Sequence, residues 1–302
     1  MHYVRVLVAV AVAVAGIAGG AACEPPLAAP DAGLEIEDAL SGPDAARDAP
    51  LPPCAATAVD VIRGRVADAA GTPVERARPQ LCARLDPDDR LVCVTPPWTG
   101  ADGRFEITVP PQVRCMRSAV MRVLVPNGPY ATTYCPVDIG PTSMGSLEVS
   151  SPFELVSVER VALPPVGDPA MAREVSLGSA LVLEVSPADV GGDADYARLG
   201  ALRVDPLRSC VLAARELDGL IAASPEASLR APFRVPGSGL PAGASVDLFV
   251  IGGLGTTLDD GTEVEEAALV RFGGGAVDSD GTITPEPGVR LPHLAWLGWA
   301  AR

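Results

Sequence analysis

Seven cysteines, a lone histidine downstream of His2 and a complete lack of lysine set the chemistry open to this 302-residue chain. The cysteines are Cys23, Cys54, Cys82, Cys93, Cys115, Cys135 and Cys210. In an oxidising compartment such residues pair. Cys82 and Cys93 flank "ARLDPDDRLV"; if Pro87 and Asp88 centre a hairpin, the two face each other across it and a disulfide is expected. Cys115 with Cys135 is the next pair, because they bracket strand-like Ala119–Val125 and its turn. Cys54 with Cys210 would remain. None of these spacings is the close Cys-x-x-Cys of a zinc site, so no metal and no cofactor are expected.

A Ser-His-Asp triad would have to use His293. No Gly-x-Ser-x-Gly elbow accompanies it, and it lies in the apolar run "LPHLAWLGW", so a histidine on a terminal strand is the expectation. One histidine excludes a zinc site of two histidines and a carboxylate. Without lysine there is neither a Walker A lysine nor a Schiff base. The 38 acidic residues leave a glycosidase-like carboxylate pair open. The acidic turns Asp86–Asp89, Asp259–Asp260 and Asp278–Gly281 lack the full loop of a calcium site and read as hairpin turns. Trp98, in "TPPWTG", offers a face on which a sugar ring could stack, with Tyr130 and Tyr134 extending the platform.

The elements that must position these residues begin after an export segment. Arg5, the apolar stretch Val6–Ile17 and small residues up to Ala22 form a secretory signal over residues 1–22. The small residues stop at Cys23, which resembles a bacterial lipoprotein signal whose cysteine is lipidated; Gly20 departs from that pattern, and ordinary cleavage with secretion is the alternative. Lipidating Cys23 leaves six cysteines, an even set. Residues 23–54 are rich in Pro, Ala and Asp and read as a disordered tether. A net charge of −15 disfavours nucleic acid as a partner.

From residue 55 to 163, runs of period two separated by turn residues predict strands at Val59–Val66, around Phe105–Val109, at Ala119–Val125 and at Val156–Leu163. "LPPVGDP" marks a linker over 164–170. Further strands are expected in 171–302, within "SLGSALVLEVSP", "RAPFRVP", "ASVDLFVIGG", "ALVRFGGGAV" and "LPHLAWLGW". Pro206–Ser224 stays open between strand and amphipathic helix, because Leu207, Val211, Ala214 and Leu217 recur at helical spacing. The fold expected is all-β: two antiparallel β-sandwich domains after the signal and tether.

"GRVADAAGTPVERA" followed by "GADGRFEITVP" resembles the carboxypeptidase regulatory-like domain, through Gly64, Val66, Asp68, Gly71, Pro73, Ala77, Asp102, Gly103 and Phe105. The resemblance implies a transthyretin-like sandwich of about seven strands without catalytic residues. The stretch from "LDGLIAASPEASLRAPFRVP" to "VDSDGTI" is faintly similar to the β domains of zona occludens proteins and netrin receptors; Glu226 stands where that resemblance expects glycine. The functional expectation is a non-catalytic cell-envelope lipoprotein, anchored to a membrane through Cys23 and meeting envelope proteins. The alternatives are a surface-glycan binder using Trp98 and a hydrolase with an unrecognised carboxylate pair.

Overall fold

A computed structural model describes residues 59–87, 89–139, 145–163 and 167–302. The signal, the tether, Cys23, Cys54 and residues 164–166 of the expected linker lie outside these residues. The first stretch contains β1 (Val59–Asp68), β2 (Arg78–Leu85), β3 (Arg90–Val94), β4 (Arg104–Thr108), β5 (Met116–Leu124), β6 (Thr133–Pro136), β7 (Gly145–Glu148) and β8 (Phe153–Leu155). The second contains β9 (Arg173–Leu177), β10 (Leu181–Val185), β11 (Gly200–Val204), β12 (Gly219–Ala231), β13 (Phe233–Arg234), β14 (Ser245–Ile251), β15 (Leu269–Val277), β16 (Ile283–Pro285) and β17 (Leu291–Ala301). The protein is all-β, and its strands pair antiparallel except where β1 meets β7 and β8.

The resemblance-bearing residues explain the first sheets. Asp68 Oδ1 accepts the N–H of Ala70 and of Thr72, at 2.9 and 2.8 Å, and so closes the turn after β1. Gly64 lies opposite Phe105 in the β1–β4 register, and a Cβ there would sit 2.7 Å from the ring. That missing side chain lets Phe105 lie over β1 against Phe153, with ring centroids 5.9 Å apart. The companion sheet, in the order β3-β2-β5-β6, buries Leu81, Ala83, Met121 and Val123.

The largest sheet runs β11-β12-β17-β14-β15-β16. It is covered on both faces. Ile221, Ala223, Leu248, Leu297 and Trp299 face the β13-β10-β9 sheet and pack with Leu177, Leu181 and Leu183. The alternate residues Leu220, Ala222 and Trp296 pack with Val120, Tyr134, Val156 and Val158. Double coverage explains why β17, apart from His293, is apolar along its length instead of alternating. The core therefore draws on residues from both sides of the expected linker, and all described residues belong to one compact unit.

Two local expectations differ from the structure. The strand expected at Val156–Leu163 is β8, earlier in the chain, followed by single bridges at Ser157 and Arg160. The backbone of Val156 and Val158 bonds instead to Ala131 and Pro129, while both side chains enter the core. The open choice over Pro206–Ser224 resolves into 3₁₀ turns at Pro206–Arg208 and Leu212–Glu216, then the start of β12. Val211, Ala214 and Leu217 do share a buried cluster, so the spacing recorded burial without recording an α-helix.

Candidate functional site

The densest polar constellation is buried where β5 and β6 meet the large sheet. Arg122 on β5 lies opposite Tyr134 on β6, so their side chains leave the same face. Glu226 comes from the irregular middle of β12, where the register with β17 shifts between Ala222 and Ala227. His293 on β17 lies opposite Ser228.

Glu226 is the hub. Its Oε2 accepts from Arg122 Nη2 at 2.8 Å, and Tyr134 donates its hydroxyl to Oε1. The same phenol oxygen accepts the Leu254 N–H at 3.0 Å, and Arg122 Nη1 donates to Gln80 Oε1 at 2.6 Å. His293 Nε2 stands 3.3 Å from Glu226 Oε1, a close polar approach without the alignment of a hydrogen bond. The histidine is 1% exposed and Tyr134 2%. A Cβ on Gly253 would lie 2.5 Å from His293 Nε2 and 2.7 Å from Glu226 Oε1, so the chain can pass over the cluster only as glycine.

Electrostatics follow from this geometry. Burial alone would push the Glu226 carboxyl up; the contacts of His293, Arg122 and Tyr134 outweigh it and hold the group down at about 2. Burial and the neighbouring Glu226 charge push the Tyr134 phenol well above its ordinary value. Burial pulls the Arg122 guanidinium down, but Glu226 more than offsets this. The result is a buried ion pair joining three strands and one turn, in which Arg122 Nε and His293 Nε2 make no hydrogen bond among the described residues.

Ser228, His293 and Glu226 fall in the order nucleophile, base, acid. Their geometry does not support that chemistry. Ser228 Oγ lies 3.4 Å from His293 Nδ1 and also donates to the Gly255 carbonyl at 3.3 Å. The Glu226 charge is already engaged by Arg122 and Tyr134. Neither the cavity of about 180 Å³ beside Tyr134 and Arg208 nor the one of about 560 Å³ beside Arg160 and Arg203 reaches Ser228.

The expected site residues fare differently from one another. The Cys82–Cys93 disulfide is present across the β2–β3 hairpin, with the two residues in register. Cys135 pairs with Cys210, not with Cys115, and Cys210 is therefore not the partner of Cys54. The reason is register: Cys135 lies opposite Met121, six residues beyond Cys115, which immediately precedes β5, or roughly 20 Å of extended chain. That exceeds the span a disulfide can bridge. Cys115 is itself disulfide-bonded.

Trp98 follows β3 and is 47% exposed, with the Arg78 guanidinium 5.7 Å from its ring centroid. Tyr130 is half-buried in the β5–β6 connection, where it bridges to Ser157. Tyr134 does not extend a platform with them, because its ring is buried and its hydroxyl is held beneath Glu226. Two of the acidic turns are closed by their own side chains: Asp260 Oδ1 accepts from Thr262 N and Asp280 Oδ1 from Thr282 N, each at 2.9 Å; in the turn Asp86–Asp89, Asp88 lies outside the described residues. Sequence reasoning missed Arg122, Glu226 and Ser228. The available signals were a glutamate breaking the resemblance at 226 and a histidine inside an apolar strand.

No protein-family model matches the chain, and no curated protein matches it. Among solved structures it is similar to a streptococcal ancillary pilin, at 11% identity and a TM-score of 0.24, over 80% of this chain and 53% of that one. The chain thus spans about half the length of that pilin. The disulfides accord with an oxidising, extracytoplasmic setting. Among the described residues no helix is long and apolar enough to cross a membrane.

Proposed function

We propose that this protein is a non-catalytic interaction module of a bacterial cell envelope, held at the membrane by a lipid on Cys23 and spaced from it by residues 24–54. The observation that carries the reading is the engagement of Glu226. Among the described residues, the Ser228–His293–Glu226 constellation has the residue types of a hydrolase, and it uses its carboxylate to join β12 to β5 and β6. A regulatory-like sandwich in the first stretch is supported by the roles of Gly64, Asp68 and Phe105, which are turn and core roles without chemistry.

Two measurements test the proposal. Intact mass of the protein extracted from membranes should show a mature N-terminus at a lipidated Cys23; an unmodified Cys23, or a start beyond it, overturns the anchor. A fluorophosphonate probe should leave Ser228 unlabelled, since its hydroxyl is not activated; stoichiometric labelling there would overturn the non-catalytic reading. Exposure of Trp98 beside Arg78 favours a second reading, surface-glycan binding. Trp98→Ala should then abolish retention on a glycan array, and retention that survives the substitution rules out this platform.

A further inference from the structure

Among the described residues, the strand β11 has an open edge. It is the terminal strand of the large sheet and pairs along one side with β12. On its other side Arg160 bridges to Gly200, and Val161 N donates to Leu199 O at 3.0 Å. Beyond that point no strand among the described residues covers the outer edge from Ala201 to Val204. Ser176 on β9 and Ser179 in the β9–β10 turn stand opposite, and the space between is the cavity of about 560 Å³. Leu202 opens into it and is 43% exposed.

The cavity is lined by two arginines, Arg160 and Arg203, and by one acid, in a chain of net charge −15. Elsewhere Arg84, Arg117, Arg122, Arg208 and Arg302 are each paired with a carboxylate. Arg160 and Arg203, like Arg78 and Arg215, have no carboxylate partner among the described residues. Arg160 donates to the Asn127 carbonyl and Arg203 to that of Pro236. Arg203 is partly buried, its guanidinium 5.3 Å from the centroid of the Trp299 ring. Glu159 is the one acid lining the groove, and it is exposed. A guanidinium partly removed from water without a counter-charge favours an incoming anion. An unpaired strand edge favours an extended backbone.

We propose that this groove docks an extended peptide strand that carries a carboxylate side chain, its backbone added to β11 and its carboxylate on Arg203. The proposal deepens the interaction-module reading by naming the chemistry of a partner. Its failure would leave the lipid anchor and the unreactive Ser228 untouched.

The test is a titration of the mature protein with the capped peptide Val-Glu-Val-Glu-Val-Glu, followed by amide chemical shifts. Saturable shifts at Ala201–Val204 and Ser176–Ser179 are expected. The Val-Gln repeat should bind at least tenfold more weakly, and Arg203→Gln should remove that difference. Equal binding of the Gln peptide, shifts centred elsewhere, or no saturation at millimolar peptide would overturn the proposal. Two further outcomes would also overturn it: the same shifts produced by a uronate oligosaccharide alone, which assigns the groove to acidic sugars, or by protein concentration alone, which assigns the edge to a second copy of the chain.

Discussion

At the scale of residues, Glu226 shows how burial changes the meaning of a side chain. In the sequence it is one acid among many; in the fold it faces Arg122, Tyr134 and His293 in a space nearly closed to water. Removing one partner of a buried pair costs more than the pair contributes net, because the other charge stays behind. Glu226→Gln should therefore destabilise the protein by about 3 kcal/mol in urea unfolding; a loss below about 1 kcal/mol would place the pair among the weak surface bridges. The carboxyl titrates near its ordinary 4.5 when unfolded and is held at about 2 in the fold. Its stabilisation is thus fully present above pH 4.5 and lost as pH falls toward 2. Stability measured across that window should fall less steeply in Glu226→Gln than in the parent protein. The Tyr134 assignment failed for the same reason: an aromatic suited to a sugar platform and one suited to a core are the same residue until depth is known.

At the scale of elements, local patterning was legible wherever a strand kept one face in water. The "RFEIT" alternation of β4, the Cys82–Cys93 hairpin and the turn at Asp68 all follow from period and turn chemistry. Patterning failed in two places. It placed a strand at Val156–Leu163, where the backbone bonds to a loop, and it paired Cys115 with Cys135, which proximity in sequence suggested and the β5–β6 register forbids. The actual pair closes a loop with a sequence separation of 75 residues, against 11 for the hairpin bridge. Loop-closure entropy then assigns about 4 kcal/mol to Cys135–Cys210 and about 3 kcal/mol to Cys82–Cys93. Paired Cys→Ser variants, compared by thermal unfolding, should show the larger loss for Cys135 and Cys210. The opposite order would mean that the longer bridge constrains the unfolded chain less than its span implies.

At the scale of the whole molecule, the large sheet is the shared wall of two cores. Trp296 illustrates the dependence: it lies on β17, packs with Val120 and Val156, and donates its indole N–H to the Thr132 carbonyl at 2.7 Å. A fragment of residues 171–302 would expose that face together with Leu220 and Ala222. It should fail to give the dispersed amide spectrum of a folded domain, whereas residues 55–302 should give one and unfold in a single transition. A well-dispersed fragment spectrum would show that the second core suffices alone. The sequence by itself determined the strand-rich class, the turns, the hairpin disulfide and the mostly apolar character of β17, because these depend on neighbours within a few residues. Only the tertiary structure decided that Glu226, His293, Arg122 and Tyr134 meet, that Cys135 reaches Cys210, and that β11 keeps an open edge among the described residues. Those outcomes depend on which faces are buried against one another, and a residue's own sequence neighbourhood carries no record of what lies across a sheet from it.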